Sequence, residues 1–341
     1  MTSIATLGSH CALQVLKGAK DEGFKTILVC EKKRERLYKR FRFIDEIILV
    51  DSFREISDQR CAKILQENDS IIVPHGTLIS QMSSNEIESI KTPIFGNKWI
   101  LRWESDRKMK EKLMLESNLP VPKSIPNPNE IKGLVIAKRH GAAGGKGYFL
   151  ATSESDYNKK RDELVRQGII NGDKDLYIQE YAFGVSAYLQ YFYSGANEDL
   201  EFFGVDRRYE SDIDGLGRIP APQQIAVDLI PSFNVIGNSP LVLRESLLDE
   251  VYSMGEKFVE AAKRLVAPGM TGPFCLEGVY DSNGKFTSFE FSARIVAGTN
   301  LYVSGSPYSS LIYNEPMSMG RRIAREVKIA KDKNVLQKVV T

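Results

Sequence analysis

The first hundred residues alternate short apolar runs with an amphipathic segment. The apolar runs lie at 3–8, 25–30, 46–51 and 70–76. Residues 10–24 repeat apolar side chains at the 3–4 spacing of one helical face, as in Ala12, Val15 and Leu16. Strands that alternate with helices predict a parallel sheet with crossover helices. We therefore predict an N-terminal α/β domain at 1–100.

The rest of the chain predicts two further units. A helix capped near Ser105 is predicted within 104–123 and ends at Pro120 and Pro122. Strand-like runs at 134–138, 147–151 and 176–181 surround a charged helix near 154–168. Longer strand-like runs at 185–193 and 200–210 precede a helix at 246–266. The predicted domains are 101–184, a small α+β unit with its entry helix, and 185–341.

Composition narrows the function classes. The 46 Lys and Arg against 44 Asp and Glu give a net charge near +2, without the concentrated positive charge of a nucleic-acid binder. No apolar run reaches the ~18 residues of a membrane span. The cysteines are scattered, which fits a reducing cytosol. We expect a cytoplasmic protein without nucleic-acid or membrane partners. The basic run at 31–43 is either a solvated face or a surface that contacts phosphate or another subunit.

Two loops follow predicted strands and contain histidine, glycine and small polar residues. They are GSHC at 8–11 and PHGT at 74–77. Ligands of parallel sheets bind at the carboxyl ends of the strands, so both loops are candidates for a binding site. A purely structural role for either histidine remains the alternative.

A glycine-rich loop lies between two apolar runs in IAKRHGAAGGKGYFLA, residues 136–151. A Walker loop would need glycine at His140 and serine or threonine at Gly147. A dinucleotide fingerprint would open a helix, whereas GYFLA is strand-like. The remaining interpretation is a flap whose backbone N–H groups, with Lys138 and Lys146, approach phosphate. An ordinary glycine-rich hairpin is the alternative.

The segment 272–300 predicts a hairpin with two facing carboxylates. Asn283-Gly284 favours a two-residue turn, which pairs Gly278 with Phe289 and Glu277 with Glu290. Alternation then assigns two faces. The core face has Phe274, Leu276, Tyr280, Phe289 and Phe291, and the other has Cys275, Glu277, Val279, Ser288, Glu290 and Ser292.

Facing carboxylates, with Cβ atoms about 5 Å apart, repel unless a cation neutralises them. Magnesium is usually bound by one or two carboxylates together with substrate phosphates. Ser292 and Arg294 follow on the chain and can reach a phosphate or carboxylate. Neutralisation by Lys or Arg neighbours, or a slipped register, remains the alternative to a metal site.

The chain resembles the ATP-grasp superfamily, and within it the archaeal formate-dependent 5-formaminoimidazole-4-carboxamide ribonucleotide synthetases. The ordered matches include LGSHCALQVLKGAKDEGF, PHGT, ESDRKMKEKLM, HGAAGGKGYFLA, IQEYAFGV, VDRRYESDIDGLGRIPA, VIGNSPLVLRESLL, GPFCLE and FEFSARIVAGTNLYVSGSPY. They span nearly the whole chain. The resemblance implies an α/β and α+β fold: a parallel-sheet N-terminal domain, a small lid with the glycine-rich flap, and a C-terminal mixed-sheet domain.

The resemblance also implies residue roles. The substrate contacts would be His10, Thr77 and Asn238, and Arg294 would be catalytic. The metal ligands would be Glu277 and Glu290. The nucleotide contacts would be Lys138, Lys146, Gln179, Glu180, Tyr181 and Glu210. Thr77 and Cys11 stand where the family commonly has serine. These two departures leave room for a paralogue with another substrate.

The implied reaction uses ATP and Mg²⁺ or Mn²⁺ to activate formate as formyl phosphate. The 5-amino group of 5-aminoimidazole-4-carboxamide ribonucleotide then attacks it, in purine (IMP) biosynthesis. His10 would bind the ribonucleotide phosphate or act as an acid–base group. The family also implies a homo-oligomer.

Three alternatives to this function remain. One is a related carboxylate–amine ligase, and another is a nucleotide-binding sensor without turnover. The third is a nicotinamide-dependent oxidoreductase, for which Glu31 ends the second strand but Gly8 lacks a second glycine.

Overall fold

The N-terminal sheet is parallel, as predicted. The computed structural model describes residues 2–139, 147–226 and 235–341. The strands β1 (Ser3–Leu7), β2 (Lys25–Glu31), β3 (Glu46–Val50) and β4 (Ser70–Ile72) lie in the order β3-β2-β1-β4. The helices of this region are α1 (Ala12–Asp21), α2 (Glu35–Tyr38), α3 (Gln59–Glu67), α4 (Gly76–Gln81) and α5 (Ser84–Ser89).

The middle region is a small antiparallel sheet preceded by two helices. Its elements are α6 (Ile100–Ser105), α7 (Arg107–Glu116), β5 (Val135–Arg139), β6 (Phe149–Ala151), α8 (Glu154–Arg166) and β7 (Leu176–Glu180), with strand order β6-β5-β7. The helix cap predicted near Ser105 is confirmed one residue further on. Asp106 caps α7, because its side chain accepts a hydrogen bond from the Met109 N–H at 2.9 Å. Lys146 and most of the glycine-rich loop lie outside the described residues.

The C-terminal region contains a larger antiparallel sheet in the order β10-β9-β8-β11-β12. Its elements are β8 (Val185–Ser194), β9 (Asp199–Glu210), α9 (Ser211–Leu216), α10 (Ala221–Ala226), β10 (Val235–Pro240), α11 (Leu248–Leu265), β11 (Gly272–Tyr280), β12 (Phe286–Ser292), α12 (Ser309–Ile312) and α13 (Met319–Asp332). Phe258 of α11 packs on Phe274 and Phe291, with ring centroids 5.1 and 5.0 Å apart. This packing buries one face of the sheet and leaves the other for a site. The domain limits given above remain predictions.

Helix α13 packs closely on α1 and joins the two ends of the chain. A Cβ on Gly18 would lie 2.2 Å from the Arg321 nitrogen, and one on Gly320 would lie 2.4 Å from the Gln14 carbonyl oxygen. Only glycine permits this approach. The Asn300 amide also donates to the His10 carbonyl oxygen at 3.1 Å. The loop that ends in His10 is thus fixed against the C-terminal region.

A buried arginine links α13 to the C-terminal sheet. Arg322 is 1% exposed and forms ion pairs with Glu201 at 2.7 Å and Glu326 at 2.8 Å. The Ser194 hydroxyl donates to Glu326, and the Tyr313 hydroxyl donates to Glu201. Because these polar groups satisfy one another, the cluster tolerates burial.

Candidate active site

The hairpin pairs Glu277 with Glu290, as predicted, although the predicted turn is wrong. Tyr280 pairs with Phe286, so the loop spans 281–285 rather than Asn283-Gly284 alone. The Asp281 carboxylate accepts the N–H groups of Asn283 and Lys285 at 2.8 and 2.9 Å and stabilises this longer loop. A bulge beside Gly278 then restores the glutamate pairing. The longer loop and the bulge therefore compensate for each other in the strand register.

The bulge also reverses two predicted side-chain positions. Gly278 pairs with Ser288 rather than Phe289, so Phe289 is the extra residue on β12. Ser288 is fully buried and donates to the Met114 sulfur, on the core side. Phe289 instead packs near Tyr188 and lines the cavity, with the Lys138 ammonium 5.2 Å from its ring centroid. The predicted core position of Phe289 is therefore wrong.

Each of the facing carboxylates has cationic partners. Glu277 accepts from Arg208 at 2.9 Å and from the Ser292 hydroxyl at 2.8 Å. Glu290 pairs with Lys110 and, at 3.3 Å, with Arg107. Burial alone would raise the pKa of Glu290, but these two cations and Lys138 outweigh it and hold the pKa well below its usual range. The cationic neighbours that the sequence left as an alternative to a metal site are thus observed.

Sequence reasoning missed Arg107, Lys110 and Arg208. Arg107 and Lys110 lie three residues apart on α7, a spacing that puts both on one helical face. Their helical spacing was visible in ESDRKMKEK, but nothing in the sequence showed that this face meets β12. The Arg208 guanidinium stacks 3.8 Å from the Tyr188 ring centroid and is thereby positioned towards Glu277.

The predicted nucleotide contacts lie at one end of the site. The Lys138 ammonium donates to the Gln179 side-chain oxygen at 3.0 Å, and both residues are buried. Burial lowers the pKa of Lys138 to about 8, despite the opposing charge of Glu290. Burial also raises the pKa of Glu210 to about 7, with Asp214 and Glu277 adding to it and Arg208 opposing it. Tyr181 and Glu180 line the same end.

Of the three predicted substrate contacts, Asn238 pairs with Arg208 in the register of β9 and β10, whereas Thr77 lies against the ring of His10. Its Nδ1 is 3.1 Å from the Thr77 hydroxyl, and its ring stacks on His75 at 5.5 Å. Burial, followed by the charges of Arg294 and Arg34, lowers the pKa of His10 to about 4. His10 is therefore neutral at neutral pH.

His75 has a structural role. Its Nδ1 accepts the Thr77 N–H at 3.2 Å, so its Nε2 donates to the Leu7 carbonyl oxygen at 2.9 Å. Thr77 is buried behind His10 and does not itself line the cavity. Cys11, the other departure from the family pattern, is fully buried.

Arg294 lines the cavity near His10. It comes two residues after Ser292 and pairs with buried Glu104 at 3.0 Å. The second Glu104 oxygen accepts the Ala293 N–H at 2.8 Å. The Nε of Arg294 is buried without a hydrogen-bond partner among the described atoms. This arrangement fixes the guanidinium near His10, where its charge helps to lower the pKa of the imidazole.

One cavity of about 900 Å³ connects these groups. The predicted site residues that line it are His10, Lys138, Gln179, Glu180, Tyr181, Glu210, Asn238, Glu277, Glu290 and Arg294. Within the described ranges no cluster of three or more acidic, histidine or cysteine side chains could by itself bind a metal. Two facing carboxylates fit a hard divalent cation whose other ligands are water and phosphate oxygens.

Comparison with known proteins decides the family. Residues 4–125 match the family model "Protein of unknown function (DUF1246)", and residues 156–341 match "Domain of unknown function (DUF1297)". A protein of Nitrosopumilus maritimus, named 5-formaminoimidazole-4-carboxamide-1-(beta)-D-ribofuranosyl 5'-monophosphate synthetase, is 71% identical over the whole of both chains. A protein of the same name from Methanocaldococcus jannaschii is 46% identical over 99% of this chain and 95% of its own.

The chain belongs to this synthetase family. The resemblance stated from the sequence is thereby confirmed.

Solved structures confirm the fold. The crystal structure of an IMP biosynthesis protein PurP from Thermococcus kodakaraensis matches 99% of this chain and 100% of that chain, with a TM-score of 0.80 and 30% identity. Biotin carboxylase from Campylobacter jejuni matches 96% of this chain and 71% of its own, with a TM-score of 0.66 and 16% identity. At that identity the second likeness shows the fold alone. Members of the synthetase family thus share the ATP-grasp architecture predicted above.

Proposed function

We propose that this chain formylates the 5-amino group of 5-aminoimidazole-4-carboxamide ribonucleotide with formate and ATP, in purine (IMP) biosynthesis. The observation that supports this most directly is the full-length identity to proteins named as the corresponding synthetase. The cavity adds independent support, because nucleotide, metal and substrate candidates line one continuous space. The reaction class is ATP-dependent carbon–nitrogen ligation.

The reaction proceeds through formyl phosphate. A formate oxygen attacks the γ-phosphorus of ATP, and ADP leaves. The substrate amine then attacks the formyl carbon, phosphate leaves with the shared oxygen, and the nitrogen loses a proton. Phosphoryl transfer mainly requires positioning and charge neutralisation, which Lys138, Lys110 and Arg107 supply. Arg294, which also lines the cavity, would orient the carboxylate of formate towards the terminal phosphate.

The two glutamates would bind the divalent cation. A bound Mg²⁺ or Mn²⁺ would neutralise both carboxylates and part of the phosphate charge. Glu277 and Glu290 would then exchange cationic side chains for the metal, leaving Arg208, Lys110 and Arg107 available to phosphate oxygens. His10, which is neutral, contributes hydrogen bonds rather than charge, and Thr77 orients its ring. Gln179, Glu180, Tyr181 and Glu210 would surround the adenosine, and Lys146 would contact phosphate.

The cellular setting and the partners of the reaction are a further part of the proposal. No helix in the described part of the chain is long and apolar enough to cross a membrane. We place the enzyme in the cytoplasm as a homo-oligomer with small-molecule substrates and without nucleic-acid partners. All four cysteines are buried and free, in keeping with a reducing compartment.

The test is ADP release from purified protein with Mg²⁺, ATP, formate and the ribonucleotide. We expect turnover only when all are present, with a formylated ribonucleotide as product. Turnover with another carboxylate or another amine instead would identify a paralogous ligase. ATP binding without turnover on any substrate pair would contradict the proposal and indicate a sensor.

Lys138 gives the site a pH dependence. With its pKa near 8, about half of the Lys138 side chains are neutral at pH 8 before MgATP binds. Bound phosphates favour the charged form, so MgATP binding at pH 8 is expected to take up about half a proton, and almost none at pH 6. Calorimetry in two buffers of different ionisation enthalpy measures this uptake.

The controls for this measurement are two lysine variants. Lys138→Met should lose the uptake at pH 8, whereas Lys132→Met, on the exposed segment before β5, should retain it. Equal heats in both buffers for the unmodified protein at pH 8 would show that Lys138 does not titrate on nucleotide binding.

A further inference from the structure

Asp206 is a buried carboxylate that contacts two residues of the cavity lining, Asn238 and Gly298. It lies on β9 and is 1% exposed. The side-chain amides of Asn238 and Gln190 both donate to it, Asn238 at 2.7 Å and each to a different oxygen. Burial raises the pKa of Asp206, and Arg208 and the two amides oppose that shift. Accepting N–H bonds at both oxygens is the behaviour of an ionised carboxylate.

The backbone at Gly298 closes the other side of this carboxylate. A Cβ there would lie 2.1 Å from Asp206 Oδ1, so only glycine fits. Gly298 lines the cavity and belongs to the 3-10 helix Ala297–Tyr302. In the same helix Asn300 donates to the His10 carbonyl oxygen. Asp206 is therefore held in place by a segment that also contacts the His10 loop.

The hydrogen bond to Asp206 determines which atom Asn238 offers to a ligand. An ionised carboxylate only accepts, so the amide nitrogen of Asn238 must face it. A flipped amide would set two acceptors against each other and leave a buried charge without its donor. Since Asn238 lines the cavity, its carbonyl oxygen is the atom that remains for the substrate.

We propose that Asp206 is a positioning residue that fixes Asn238 as a hydrogen-bond acceptor and thereby selects a substrate with an N–H donor at this place. The inference rests on the proposed function and on the substrate contact that the family resemblance implies for Asn238. The carboxamide of the aminoimidazole ribonucleotide offers N–H donors. The counterpart with a carboxylate in place of the carboxamide offers only acceptors there, and an acceptor facing an acceptor is rejected.

The experiment compares these two ribonucleotides as substrates in four proteins. These are the unmodified chain, Asp206→Asn, Asn238→Ala and the double variant, with kcat/KM taken from ADP release at saturating formate and ATP. In Asp206→Asn the new amide can donate or accept, so Asn238 is free to flip. We expect the preference for the carboxamide to fall about tenfold or more, mainly through KM. Asp199→Asn, exposed on the same strand, is the matched control and should keep the preference.

The double variant distinguishes positioning from a separate structural effect. If Asp206 acts through Asn238, Asp206→Asn should change the preference less than about threefold once Asn238 is alanine. The proposal would be overturned if the effects of Asp206→Asn and Asn238→Ala on the preference multiplied as independent effects do. It would also be overturned if folded Asp206→Asn kept the preference for the carboxamide unchanged. Should that variant not fold, Asn238→Ala alone must still lose the preference. Failure of the unmodified chain to use the carboxamide ribonucleotide would instead reject the proposed function itself.

Discussion

Glu290→Gln is expected to lower ATP turnover by at least about a thousandfold while leaving the chain folded. The amide preserves shape but removes one of the two facing charges that a divalent cation requires. It also cannot hold Lys110 and Arg107 in their present positions through charge. Loss of metal-assisted charge neutralisation at the phosphates removes an interaction needed in the transition state. ADP release at saturating ATP measures the effect.

The same variant should melt at a lower temperature at neutral pH. The depressed pKa of Glu290 means that its ion pairs contribute stability above the carboxyl pKa of the unfolded chain, near 4.3, and lose it on acidification. Glu116→Gln is the matched control, because Glu116 forms an exposed ion pair with Arg264 away from the cavity. It should keep full activity. Full activity in Glu290→Gln would dismiss the metal role.

The strand pairing shows how far local sequence rules reach. Asn283-Gly284 marked the hairpin and its approximate centre, which was sufficient to locate the two glutamates opposite each other. The rule did not include Asp281, whose side chain lengthens the loop, or the bulge that compensates for it. Both depend on contacts across the sheet. Phe289 therefore lines the cavity instead of packing in the predicted core.

The cationic partners of the glutamates could not be predicted from the sequence for a different reason. Glu290 and Lys110 are separated by 180 residues, and only the packing of α7 on β12 brings them together. Periodicity identifies that α7 is a helix but not which strand it covers. Asp206 is similar, because its role depends on Asn238, which lies on a strand that periodicity did not indicate. The acidic pair was predictable because both members lie on one hairpin.

Arg322→Met is expected to lower the free energy of unfolding by about 3–5 kcal/mol. Arg322 lies 4.2 Å from the Phe192 ring centroid and is the cation shared by Glu201 and Glu326. Without it two carboxylates face each other in the core, and their remaining hydroxyl and backbone donors cannot neutralise them. Methionine retains much of the apolar volume, so the loss reports charge rather than a cavity. Urea unfolding measures the change.

Two further variants separate charge from packing in this cluster. Arg325→Met on the same helix leaves Glu22 paired with Arg321, so it should cost about 1 kcal/mol or less. Adding Glu201→Gln and Glu326→Gln to Arg322→Met removes the uncompensated charges and should recover most of the loss, because buried ion clusters are replaceable by neutral groups of similar size. If the triple variant were no more stable than Arg322→Met, the arginine would stabilise the α13 contact by packing, and its charge would be incidental.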